Sequence, residues 1–208
     1  MAERHTFILS GSLKLEALLD LADGTAGAVV THPHPLYGGD MENGVVESIV
    51  GAYRGKGYST LRFNFRGVGM SQGRYDEGRG EQEDVRSAIQ FFASHGKTRI
   101  HLAGYSFGAW VNARAVPTDP PVNGLLLVSP PVAFLDFSAV GFLATLKLVV
   151  AGSHDQFAPP ERIHAFLRGW NPAARFEVIA GADHFYWGYA AELERILAAS
   201  LGGNDTTP

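Results

Sequence analysis

The 208-residue sequence contains no cysteine. Disulfides, a thiolate nucleophile and cysteine-ligated zinc are therefore excluded, and redox chemistry gives no clue to compartment. An excess of charge is missing too: 17 Lys and Arg against 21 Asp and Glu leave a formal net charge of −4. That balance gives no electrostatic reason to expect nucleic acid or an anionic membrane as partner. No apolar run approaches the ~18 residues of a membrane span, and the N-terminus lacks a basic-then-apolar leader pattern, so a cytoplasmic protein is expected. No G-x-G-x-x-G or Walker loop opens a helix after a strand, which leaves nucleotide binding unsupported. Repeats, low-complexity segments and linkers are also lacking.

What remains is ordinary globular composition, 46% hydrophobic and 18% charged, in a length suited to one domain with a full core. The expected layout is a single domain over 1–201 and a disordered polar tail over 202–208. Short apolar runs alternate with segments of helical period. Strands are predicted in a hairpin over 7–19 and at 27–32, 58–65, 99–105, 124–129, 146–152 and 175–181. Helices are predicted from Asn43, which can cap its own helix, and over 81–94, 107–116, 159–170 and 188–200. This alternation predicts an α/β fold, a mostly parallel central sheet with helices on both faces and ligands at the carboxyl ends of the strands.

One pentapeptide stands at such an end. In "GYSFG" (104–108), Ser106 follows the strand "RIHLA" and precedes the helix "FGAWVNARAV". G-x-S-x-G is a nucleophile elbow when the serine sits on a tight strand-to-helix turn, where the glycines let strand and helix pass closely. The motif alone is weak, since "GMSQG" (69–73) also matches. Ser71, however, leads into the polar "RYDEGRGEQ", which cannot begin a buried helix.

A serine hydroxyl needs a base, and the base an orienting acid. Past residue 106 the histidines are His154, His164 and His184. His164 falls within a helical pattern; His184 lies in "AGADHFYWG", after the final strand, and is the preferred base. The acid is best placed at Asp155 in "AGSHDQFAPP", with Asp136 and Asp183 as competitors. Asp183 suits the role poorly because adjacent side chains in an extended loop diverge. The amide of Phe107, directly after the serine, is one candidate donor to an oxyanion.

The stretch "VVTHPHPLYGGD" (29–40) offers H-x-H and raises the question of a metal. In an extended segment the side chains of His32 and His34 point to opposite sides, and no third ligand at a recognisable spacing follows. No metal and no cofactor are expected, and His32 is read as a loop-fixing hydrogen-bonder. Arg66 with Gly67 is read as closing a turn, and "DEGRGEQED" (76–84) as a solvated helix entry favoured by acidic residues.

Together, "THPHPLYGGDMEN", "LRFNFRGVGMSQGRYDEGRGEQED", "LAGYSFGAWV", "SPPV…DFS", "GSHDQFAPP" and "GADHF" resemble the α/β-hydrolase superfamily. More narrowly, the sequence looks like its small lid-less serine hydrolases of the dienelactone-hydrolase-like or esterase-like group. The resemblance covers most of 26–190 and implies Ser106 as nucleophile, Asp155 as acid and His184 as base. It also implies, by analogy with the His-Gly-x loop of such proteins, the amide of His34 as second oxyanion donor; Leu36 or Tyr37 stay open. Dienelactone hydrolases proper use cysteine, so the serine here departs from them and puts that substrate in doubt.

Only Pro130–Thr145 separates two strands where the superfamily usually inserts a lid, too few residues for a helical cap. An open cleft with an aromatic rim, substrate-binding residues Tyr37, Phe157 and Phe185 among it, favours small neutral acyl esters. The expectation is a carboxylesterase-type serine hydrolase acting on a small-molecule acyl substrate. A thioesterase or small acyl-peptidase would use the same triad. A non-catalytic binding module and a metal-dependent hydrolase are the outsiders.

Overall fold

The computed structural model describes residues 3–116, 118–119 and 121–201; the tail expected over 202–208 lies outside them. Eight strands form one sheet: β1 (Arg4–Ser10), β2 (Leu13–Asp20), β3 (Ala26–Thr31), β4 (Ser59–Phe63), β5 (Arg99–Tyr105), β6 (Gly124–Val128), β7 (Leu146–Gly152) and β8 (Arg175–Ile179). Their spatial order is β1-β2-β4-β3-β5-β6-β7-β8. The β1–β2 hairpin turns at Gly11, whose φ of 58° suits a residue without a Cβ. It meets β4 antiparallel, and from β4 to β8 every pairing is parallel.

Among the described residues, a short 3-10 turn (Pro35–Tyr37) and five α-helices accompany the strands: α1 (Gly44–Arg54), α2 (Arg79–Ser94), α3 (Phe107–Ala115), α4 (Pro160–Trp170) and α5 (Ala190–Ser200). Val46, Ile49 and Tyr53 of α1 share one core layer with Leu193, Ile196 and Leu197 of α5. Val85, Ile89 and Phe92 of α2, Val111 of α3, and Ile163 and Trp170 of α4 build the other layer. Covered on both faces, β6 is buried along its whole length and reads as a continuous apolar run; β4 is equally buried but carries Ser59, Thr60 and Arg62. Asn43 caps α1, its side chain accepting from the Val45 amide at 3.0 Å.

Most expected elements appear within two or three residues of their predicted bounds. The hairpin is longer than read, spanning Arg4 to Asp20. Tyr189, placed inside the last helix by its period, is the N-cap of α5. Between β6 and β7 the chain makes only turns, so no helical cap covers the carboxyl end of the sheet.

The charged entry to α2 is a correction. Glu81 and Asp84 are fully buried, not solvated. The Glu81 carboxylate accepts from the amides of Asp76 and Gly78, both at 2.8 Å, satisfying donors that a helix start leaves orphaned. Asp84 receives Arg66 at two points, Nη2 to Oδ1 at 2.7 Å and Nε to Oδ2 at 3.0 Å. Arg66 does anchor its turn, and it does so through this buried pair.

Candidate functional site

The parallel strands deliver their carboxyl ends to one edge, and the loops there carry the chemistry. Ser106 sits alone between β5 and α3 at φ 54°, ψ −118°, a backbone shape L-residues rarely adopt. The turn is tight: a Cβ on Gly104 would lie 2.7 Å from the Gly108 carbonyl carbon, and one on Gly108 2.7 Å from the His32 oxygen. Both glycines of the pentapeptide are thus required by close packing against β3 and its loop.

Ser106 Oγ lies 2.9 Å from His184 Nε2. His184 Nδ1 lies 2.9 Å from each carboxylate oxygen of Asp155. A carboxylate only accepts, so Nδ1 carries the proton and Nε2 is free to accept from the serine. Oδ1 of Asp155 also accepts from the amides of Phe157 (3.0 Å) and Ala158 (2.8 Å), and Oδ2 from the Ser129 hydroxyl (2.7 Å). Burial pushes the Asp155 pKa up, but the His184 ring and these donors outweigh it and hold the group below its ordinary value. A hydroxyl, a neutral imidazole and an ionised carboxylate in this order can pass a proton from serine to imidazole and stabilise the resulting cation.

The competitors lie elsewhere. Asp136 accepts from the Ser138 amide and Asp183 from the Phe185 amide, each a local turn contact. His154 and His164 are exposed. Ser71 is buried, donating to the Asn64 carbonyl (2.7 Å) and accepting from the Glu16 amide (2.9 Å), so the second G-x-S-x-G match is a structural tie.

His32 and His34 diverge as their alternation predicts. His32 is fully buried; Nδ1 donates to the Pro33 carbonyl at 2.7 Å and Nε2 accepts from the Phe65 amide at 3.0 Å. His34 faces the cleft, with Nδ1 accepting from the Leu36 amide (3.2 Å) and Nε2 against the Tyr75 hydroxyl (3.3 Å). All four ring nitrogens are engaged, and among the described residues no group of three potential ligands is placed to hold a metal.

Of the candidate oxyanion donors, the Leu36 amide is taken by the His34 ring and the Tyr37 amide by the His34 carbonyl. The amides of His34 and Phe107 donate to no acceptor among the described residues, and both residues line the cleft beside Ser106. That of Phe107 opens α3, where the helix dipole adds partial positive charge.

Burial pushes the His32 pKa down from 6.5 to about 4. Because the folded value is the lower one, stability from the neutral ring is complete above the unfolded pKa and drains away as pH falls toward 4. The full interval is worth about 3 kcal/mol. Urea unfolding of the wild type between pH 7 and pH 4 should show this loss, and His32→Gln should flatten it; an equal slope in both proteins refutes the attribution.

The cleft measures about 520 Å³, with Ser106 and His184 at its floor and no Lys, Arg, Asp or Glu in its lining. Tyr37, Phe157 and Phe185 line it as expected, joined by Phe134 and Leu135 from the loop after β6. Tyr37 is 74% exposed, at the mouth. Ring contacts run from Tyr37 to Phe134 (6.1 Å), to Phe157 (5.9 Å) and to His184 (4.9 Å between centroids). The side chains of Phe107, Phe137 and Tyr186 are buried, and Trp187 stands exposed. Ser129 and Tyr105 escaped the sequence reading; Tyr105 donates to the His184 carbonyl at 2.8 Å.

A serine on a strand-to-helix turn, in a sheet of this order, is the arrangement of the α/β-hydrolase fold. Residues 43–198 match the model of the alpha/beta hydrolase family, and the chain belongs to that family. An uncharacterized protein of Rickettsia prowazekii (strain Madrid E) is 35% identical over 169 residues, 76% of this chain and 71% of the other. An alpha-beta serine hydrolase homologue from Coxiella burnetii superposes with a TM-score of 0.89 at 37% identity, covering 97% of this chain and 99% of that one. A serine hydrolase without lid from Xanthomonas campestris also reaches 0.89, at 30% identity, over 100% of this chain and 98% of that one. No described helix is long and apolar enough to cross a membrane.

Proposed function

We propose that the protein is a carboxylesterase-type serine hydrolase acting on small, neutral acyl esters, with Ser106 as nucleophile, His184 as general base and Asp155 as its orienting acid. What carries the reading is the unbroken hydrogen-bonded chain from Ser106 Oγ through His184 to Asp155, opening on a cleft without charge.

Ser106 Oγ attacks the acyl carbon while His184 Nε2 takes its proton. The tetrahedral oxyanion is received by the amides of Phe107 and His34. The imidazolium then protonates the departing alkoxide, leaving an acyl-Ser106. A water molecule, deprotonated by His184, attacks the acyl carbon; collapse returns the proton to Ser106 and releases the acid. No cofactor enters this scheme.

Substrate choice follows from the lining: Tyr37, Phe157 and Phe185 bury apolar acyl surface, whereas a carboxylate there would find no cation. p-Nitrophenyl butyrate should therefore exceed p-nitrophenyl hemisuccinate in kcat/KM by roughly tenfold or more. A fluorophosphonate should label the peptide carrying Ser106. Labelling of Ser71 instead, or no labelling in folded protein, sinks the proposal.

A further inference from the structure

Among the described residues, four non-glycine residues have positive φ: Glu77, Ser106, Ser129 and Tyr186. Three of them meet around Asp155 and His184. Ser129 (φ 45°) is the first residue after β6 and is fully buried, its amide donating to Val150 of β7 at 2.7 Å. Tyr186 (φ 56°) follows His184 by two residues and is also buried. Strain held at two more positions beside a strained serine points to a constraint the turn alone does not explain.

The hydrogen-bond directions supply it. Asp155 is ionised, so the Ser129 hydroxyl must donate to Oδ2 (2.7 Å). Its one hydrogen being spent, the 2.8 Å contact with Tyr186 must run from the phenol to Ser129 Oγ. Burial also pushes the Tyr186 pKa up, so the phenol remains a donor at any working pH. The chain is thus polarised in one sense, Tyr186 to Ser129 to Asp155.

Both backbone donors to the carboxylate, Phe157 and Ala158, reach Oδ1. The carboxylate turns as one rigid plane about a soft, roughly two-fold torsion, so donors on both oxygens hold that plane more firmly than amides on Oδ1 with the His184 ring alone. Ser129 pins that second oxygen, and Tyr186 fixes Ser129 from the loop that carries His184. We propose that Ser129 and Tyr186 are positioning residues, a two-hydroxyl relay that locks the carboxylate plane against the His184 ring and returns to the histidine's own loop. This rests on the assignment of Ser106, His184 and Asp155 made above.

The test is a double-mutant cycle read in kcat and KM with p-nitrophenyl butyrate, with thermal melts alongside. Ser129→Ala should lower kcat by about 10- to 100-fold, the range for losing a hydrogen bond to a charged group. Tyr186→Phe should lower it about 3- to 10-fold, and KM should stay within about twofold in both. Because the tyrosine acts through the serine, the double variant should match Ser129→Ala within about twofold; losses that multiply overturn the relay. Ser129→Gly removes the hydroxyl while suiting φ 45°. It should melt no lower than Ser129→Ala and still lose kcat, whereas full kcat in it shows a purely structural serine and overturns the proposal. Ser106→Ala in the same assay separates the two failures. If it stays active the nucleophile is wrong; if it is dead while the Ser129 and Tyr186 variants keep wild-type kcat, the relay alone is wrong.

Discussion

Replacing Ser106 with alanine should reduce kcat for p-nitrophenyl butyrate by at least about 10⁴-fold, with a melting temperature close to wild type. Losing the nucleophile of such a triad costs nearly the whole contribution of the triad acting as a unit, and what persists is the roughly 10³- to 10⁴-fold over water supplied by binding and oxyanion contacts. No neighbouring hydroxyl can stand in. Ser71 is buried with its oxygen held by Asn64 and Glu16, and Ser129 already donates to Asp155. The substitution deletes a single oxygen and keeps the Cβ, so the packing of Gly104 and Gly108 against β3 and its loop is untouched. A loss below about tenfold in purified, folded protein would mean that the hydrolysis arises at another residue.

Asp155→Asn should be nearly as damaging, lowering kcat about 10⁴-fold, for a reason that lies in proton placement. The amides of Phe157 and Ala158 both donate to Oδ1, so the asparagine must present its carbonyl oxygen there. Its NH₂ then takes the place of Oδ2, facing Ser129 and the His184 ring. That NH₂ can itself donate to Nδ1, which favours the tautomer protonated at Nε2, the nitrogen that must receive the Ser106 proton, whereas Nδ1–H would keep only the oxygen already shared with two amides. Ser129, too, would have to stop donating. Steady-state kinetics of Asp155→Asn beside the wild type checks this; a loss under about tenfold sinks Asp155 as the orienting acid.

How far all this could be read in advance varies with the kind of interaction. β5 and β7 match their predicted bounds because a parallel strand covered on both faces leaves a short, mostly apolar stretch that ends at a glycine-bearing turn. Only Arg99, His101 and Lys147 break it here. Ser106 was separable from Ser71 by the same means, since only one of them joins such a run to an apolar helix. His32 and His34 were read as diverging because an extended segment alternates by geometry. The burial of Glu81 and Asp84 was not legible: their charge announces solvent, and only the fold brings the orphaned amides and Arg66 that satisfy them. The place of Tyr186 was not legible either: its neighbours Phe185 and Trp187 are exposed, and a positive φ leaves no mark on residue type. Ser129 drew no notice because serine after a strand is ordinary turn chemistry.

The turns between β6 and β7 have a kinetic meaning. With no helical insertion to swing aside, Ser106, His184 and Asp155 stand at bonding distance while the mouth is open, so the site is assembled before any ligand arrives. Binding energy need not be spent on closing a lid, and entry and departure become matters of diffusion past the aromatic rim. The same open mouth also admits water freely, so on the proposed mechanism the second nucleophile reaches the acyl group without any gating step.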